Sequence, residues 1–337
     1  MDRRTLAALS VAGVVGIVAG AGTALGAGHS DQPSAGHHAP AKPRPRALWL
    51  TSHELHDGAT VVRLEGVAFV TSVVRDGDHW IVQDVPDDPQ ASPRVLRVDR
   101  DGRVVVLAEV EGRGDISADG TQHIGLDKTG KGYQVTDLTT GRATRVPPAP
   151  DPGDAEGTAL FDGEDVITGW SPTGTTYYRS TRSGEDLAIV GRDVVDGRFS
   201  PDRTAYVGLQ VGLGRTCVRG GAATEDATLW KDCPAGLATA SPYAPDGRRL
   251  VTTDTGLKEG WPTKATILDA ATGQEKAQIP LPKEVFDVAM LADDEIVALS
   301  VTGPDGKQTT TVRTCTVSGG CVVVGRAAGV GILGGGR

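Results

Sequence analysis

Few residues in this chain stand at spacings that chemistry would use. The nearest to a metal motif is His53-Glu54-Leu55-His56. A zinc-protease pattern is HExxH on a helix, which sets both histidines one turn apart on one face. Here they are one residue too close, and the flanking residues read as strand, where positions three apart point to opposite sides. Asp99-Arg100-Asp101-Gly102 opens like a calcium loop but lacks its closing glutamate, so it reads as a hairpin turn. Asp115, Asp196 and Asp287 stand near strand starts, one per repeat unit. A ring of such acids could hold calcium for hydrolase or lyase chemistry, although an aspartate so placed more often caps its neighbouring turn. No GxSxG elbow and no phosphate-cradling glycine loop after a strand occurs. No cofactor is expected, and no metal site beyond that weak channel candidate.

The elements that must position these residues repeat. Short turns follow an apolar or small-residue strand at Asp76-Gly77, Asp119-Gly120, Asp162-Gly163, Asp202-Arg203, Asp246-Gly247 and Asp293-Asp294. A second series runs out of phase: DRDG (99–102), DLTTG (137–141), STRSG (180–184), KDCPAG (231–236), DAATG (269–273) and TVSGG (316–320). Both series recur at about 43 residues, the length of a four-stranded propeller blade. One unit reads AFVTSVV, turn, HWIVQDV, loop, PRVLRVD, turn, RVVVLAEV. Such β-branched runs bounded by Gly, Asp and Pro are strands, and Asp-Gly suits tight hairpins because both central positions need positive φ.

Phe199-Ser200-Pro201-Asp202 and Tyr243-Ala244-Pro245-Asp246-Gly247, each followed by an apolar strand, resemble the divergent WD40-like repeats of exported bacterial proteins, the TolB-type propellers. The resemblance covers about 66–327 and is one of repeat pattern. The Trp-Asp and Gly-His dipeptides of orthodox WD40 repeats are absent from that stretch. It implies a fold and leaves function open. Six complete units fill the stretch. Upstream, ALWLTSHEL and ATVVRLEG form a hairpin, and downstream VGILGG is one short strand. An all-β propeller of seven blades is expected, the last shared between N- and C-terminal strands to hide both edges, with six blades as the alternative.

In such a blade the first-to-second and third-to-fourth turns share one face. The second-to-third loops and the blade-to-blade connections share the other, and there the long segments gather: 85–93, 147–157, 210–226, 255–263 and 302–307. Long loops on a rigid scaffold carry binding residues. Candidates on that face are Trp261 beside Lys258 and Glu259, Arg215 and Arg219 flanking Cys217, and Asp87 and Asp88. Trp261 is the best contact candidate, because an exposed Trp can anchor an interface; the alternative is that it covers part of its own blade.

Composition sets the outer bounds. The formal charge of −9, with no basic cluster, argues against nucleic acid. Aromatics are 4% of residues, so the core is expected to be Val, Leu, Ala and Ile. Residues 6–28 are uncharged and follow Arg3-Arg4, so 1–28 is a signal peptide or an N-terminal hydrophobic helix that stays as a membrane anchor. Membrane contact is expected only through 6–28. Residues 29–46 form a Pro-rich disordered linker, and 47–337 the propeller. Cys217, Cys233, Cys315 and Cys321 form no CxxC pair; in an exported chain their spacing favours Cys217–Cys233 and Cys315–Cys321, each closing a hairpin. The expectation is therefore an extracytoplasmic, anchored or secreted, non-enzymatic propeller that binds a protein or cell-envelope ligand with its long-loop face. The alternative is a calcium-dependent hydrolase or lyase with its site in the channel.

Overall fold

A computed structural model describes residues 46–51, 53–88, 90–111, 114–117, 120–148, 154–155, 159–162, 164–171, 176–191, 195–202, 204–212, 215–222, 228–238, 241–254, 261–304 and 307–334. The hydrophobic segment 1–28 and the linker, Arg46 apart, lie outside them. The compact unit runs from Arg44 to Arg337. It is all-β: seven antiparallel sheets, six of four strands and one of five, numbered here as blades 1 to 7 along the chain.

Blades 2, 3, 5, 6 and 7 each run first to fourth strand in chain order, as in Phe69–Asp76, His79–Val85, Arg94–Val98 and Val104–Glu109 of blade 2; in blade 4 the short strands Asp154–Ala155 and Leu160–Asp162 both pair with Asp165–Ser171. Blade 1 closes the ring. Its first strand is the C-terminal Gly331–Leu333, and the other three come from the N-terminal side. Trp49 pairs with Leu333 and Thr51 with Gly331, so the last strand of the chain buries the edge that Leu48–Thr51 would expose. The seven-bladed arrangement expected from the repeat is present. Upstream the expectation was a two-stranded hairpin; the chain instead turns again at His53, giving Leu48–Thr51, Glu54–Asp57 and Thr60–Arg63.

The core is divided into seven apolar clusters, one between each pair of adjacent blades. Five of them contain aromatic side chains, so the aliphatic core expected from composition is corrected. The few aromatics are large, and their polar ends tie blades together. Trp80 Nε1 donates to Asp57 of blade 1 at 3.2 Å. Tyr133 Oη donates to the Gly169 carbonyl of blade 4 at 2.7 Å, and Trp230 Nε1 to the Ala270 carbonyl of blade 6 at 3.0 Å. A buried Trp or Tyr is stabilised by such a partner, and at these three positions a neighbouring blade supplies it.

Both disulfides form, Cys217–Cys233 and Cys315–Cys321, with Cα separations of 4.5 and 4.0 Å. Cys315 and Cys321 are register partners in the last hairpin of blade 7. Around Cys217 the sequence expectation needs correction. Much of the supposed loop 210–226 is strand: Ala205–Gly212 pairs with Arg215–Ala222, and Cys217 lies inside the latter. The turn KDCPAG is consequently the connection between blades 5 and 6 rather than a turn between third and fourth strands. Its glycine was the member of the second series that fell out of step, which was the available sign.

Candidate functional site

Among the metal-like and channel candidates, His56, Asp115 and Asp287 have ordinary structural partners. His53 sits exposed at a bend, whereas His56 is buried and stacks on Trp49 with ring centroids 3.7 Å apart. Burial lowers the His56 pKa despite its bond to Glu54 at 3.2 Å. Asp115 accepts the Phe161 N–H of the next blade at 3.0 Å, and Asp287 accepts the Val288 N–H at 2.9 Å. Asp196 lies in the first strand of blade 5, its side chain outside the described set. No cluster of three His, Cys, Asp or Glu that could hold a metal occurs among the described residues.

The described binding-face candidates stand on three blades: Asp87 and Asp88 on blade 2, Arg219 on blade 5 and Trp261 on blade 6. Asp87 and Asp88 are exposed in the second-to-third loop of blade 2, where Asp88 accepts the Gln90 N–H and so shapes its own turn. Arg215 and Arg219 belong to the third strand of blade 5 and not to a loop; Arg219 is half-buried in mid-strand, opposite Gly208 and Lys231. Lys258 and Glu259 lie outside the described residues.

Trp261 is different. The chain has five tryptophans, and Trp49, Trp80, Trp170 and Trp230 are all less than a tenth exposed. Trp261 is 52% exposed. It packs on Phe286, itself 56% exposed, with centroids 6.3 Å apart. Trp261 comes from the second-to-third loop of blade 6, and Phe286 opens the first strand of blade 7. The pair therefore bridges two blades on the long-loop face. Phe286 escaped sequence reasoning because an aromatic inside VFDVAML reads as core. It lies instead where the first strand shifts register between Val285 and Asp287, which turns it outward.

Beside this pair the same face opens a cleft of about 530 Å³. Pro282, Lys283 and Glu284 of the connection between blades 6 and 7 form one wall. Ser300, Thr302, Thr309, Thr311, Arg313 and Arg326 line the rest of the cleft. Arg313 Nη1 donates to Ser300 Oγ at 3.0 Å. Glu284 adopts φ 62°, a left-handed conformation that costs a residue with a side chain. Three cations and one carboxylate make the cleft positive on an acidic protein.

No protein-family model matches the chain, and neither does any curated protein. Solved structures do resemble it. TolB from Acinetobacter baumannii matches with TM-score 0.51 and 16% identity over 70% of this chain and 64% of TolB. An oligogalacturonate lyase in complex with manganese gives TM-score 0.55 and 13% identity, over 82% of each chain. The S511A mutant of puromycin hydrolase, complexed with PGG, gives 0.51 and 15% over 79% of this chain. The chain spans only 64% of TolB and 55% of that hydrolase. At such identities the likeness is one of propeller fold.

Proposed function

We propose that this protein is an extracytoplasmic binding propeller, held outside the membrane or secreted, which recognises an envelope component with the long-loop face of blades 6 and 7. The observation that carries this reading is Trp261. A chain that buries four of its five tryptophans leaves the fifth in solvent against an equally exposed Phe286. Exposed aromatic pairs are costly in water and serve as anchors in recognition. Two disulfides support an oxidising compartment. The uncharged run 6–28 after Arg3-Arg4 supports export, with anchoring or cleavage as its outcome. The TolB likeness is compatible with a binding role, and the two enzymes among the similar folds keep the channel alternative in view.

The test is co-sedimentation of the compact unit 44–337 with isolated cell envelopes, native beside Trp261→Ala. Native protein should sediment and Trp261→Ala should lose at least about tenfold in affinity, the loss expected for one hot-spot aromatic. Circular dichroism and melting temperature should be unchanged, because Trp261 covers no core. Equal sedimentation of both proteins would sink the reading. The channel alternative is checked in the same samples: a melting temperature raised by calcium in the native protein but not in Asp287→Ala would favour it instead.

A further inference from the structure

We infer that the cleft on blade 7 is a site for the oxyanion group of an acidic saccharide; this deepens the reading above and rests on it. The argument comes from comparing two blades of the same molecule. In blade 2 the residue near the end of the second strand is Asp84, fully buried. Its carboxylate accepts the Ala68 and Phe69 N–H groups of the incoming connection, at 2.9 and 3.1 Å, and pairs with Arg94 of the third strand. Arg94 also donates to the Gly66 carbonyl at 2.9 Å. One internal carboxylate thus satisfies a cation and two backbone donors between connection and sheet.

Blade 7 has the same frame without that carboxylate. Each first strand shifts register near its start, at Val70 to Ser72 in blade 2 and at Val285 to Asp287 in blade 7. Superposing the shifts makes Ser300 the counterpart of Asp84. Across the sheet, Thr311 then stands for Arg94 and Arg326 for Glu109. Two carboxylates of blade 2 have become a hydroxyl and a guanidinium. The counterparts of the Ala68 and Phe69 N–H groups are those of Lys283 and Glu284, which meet no acceptor among the described residues. Lys283 and Arg326 likewise pair with no carboxylate there, and Arg313 bonds only the Ser300 hydroxyl.

The face is the right one for a ligand. Ile296 and Ala298, which precede Ser300 on the same side of the second strand, pack with Val251, Ile267 and Ile279 of blade 6. The cleft is therefore where the apolar seam between blades 6 and 7 gives way to polar residues as it reaches the loop face. Guanidinium and ammonium groups bind carboxylate or phosphate oxygens, and fixed hydroxyls pair with ligand hydroxyls. The four hydroxyl side chains favour a sugar over a peptide, because the lining offers no apolar hole for a side-chain anchor. Phe286, two residues past Glu284 of the cleft wall, packs on Trp261, and this pair supplies the aromatic surface against which the C–H face of a sugar ring packs.

Titration calorimetry of the full chain separates the possibilities, with glucuronate and glucose 6-phosphate as probes and glucose, inorganic phosphate and a tetraglutamate peptide as comparators. At least one acidic sugar should bind about tenfold tighter than glucose and than inorganic phosphate, weakening as salt rises; which of the two wins distinguishes a carboxylate from a phosphate source. Ser300→Asp, which gives blade 7 the internal carboxylate of blade 2, should abolish this binding while leaving the melting temperature unchanged or raised. Arg326→Gln should weaken it about tenfold. The inference is overturned if neither acidic sugar binds, if Ser300→Asp binds as well as native protein, or if inorganic phosphate or tetraglutamate binds as tightly as the sugars. Envelope sedimentation that Trp261→Ala removes but Ser300→Asp leaves intact would refute the cleft alone and leave the binding-face reading standing.

Discussion

His123 shows how far a single side chain's role depends on its surroundings. It lies buried in the second strand of blade 3, its Nε2 3.4 Å from Gln83 Nε2 of blade 2. Burial lowers its pKa to about 4, with the charge of Asp115 opposing the shift only in part. In the unfolded chain this imidazole takes up its proton near the ordinary histidine value of 6.5. Between those two values the unfolded state binds more protons than the folded state, so stability falls as pH drops from about 6.5 to 4. The full loss is about 3 kcal/mol, reached below the folded value. Urea unfolding of His123→Gln should show a correspondingly flatter pH profile within that window. An unchanged slope there would mean that His123 does not carry the effect. The carboxylates whose pKa values are lowered, such as Asp57 and Asp202, lose their contributions only at more acidic pH, as protonation passes through their folded values. At Asp57 burial pushes upward, but Arg75, Trp80 and Arg46 together outweigh it.

At the scale of the element, the hairpin of blade 5 depends on one glycine and one disulfide. Gly220 sits under Trp230, whose ring comes within 2.3 Å of where a Cβ would stand, so only glycine allows that ring to cover the strand. Cys217–Cys233 pins the same strand to the end of its neighbour, across a sequence separation of 16. A loop of that size implies that removing the crosslink costs about 3 kcal/mol. Guanidinium unfolding of Cys217→Ala/Cys233→Ala should show this loss, and a loss below about 1 kcal/mol would mean the hairpin is held by Trp230 and the sheet alone. The tight turns, by contrast, follow their residue types. Asp269 accepts the Thr272 N–H and hydroxyl at 3.0 and 2.9 Å, and Gly273 takes positive φ. Those bonds to Thr272 hold the Asp269 carboxyl below its usual range.

For the molecule as a whole, closure of the ring governs stability. Leu333 is buried in the cluster shared by blades 7 and 1, and its strand supplies the inner edge of blade 1. Deleting 331–337 removes those contacts together and exposes the Leu48–Thr51 edge. The melting temperature should fall by several degrees, given that each kcal/mol moves a domain of 150–250 residues by roughly 2–4 °C and a larger one by less. An unchanged melting temperature would mean that blade 1 is held by its three N-terminal strands alone. Charge is also distributed at this scale. The chain is acidic overall, yet the cleft on blade 7 collects Lys283, Arg313 and Arg326 from three separate segments.

Much of the fold was legible in the sequence because a propeller is built from local turns, and turn residues state their backbone requirements where they stand. The turn positions and β-branched runs gave the period and the shared blade, while the boundary between blades 5 and 6 was misplaced at KDCPAG. Cysteine spacing gave both disulfides. The site was not legible in the same way. Trp261 was visible as a candidate, but its exposure and its contact with Phe286 depend on two blades meeting. Lys283, Ser300, Arg313 and Arg326 are ordinary strand and connection residues whose convergence follows only from register. Register and burial arise from contacts between residues far apart in the chain, and these decided which charges were satisfied by the fold and which were left for a ligand.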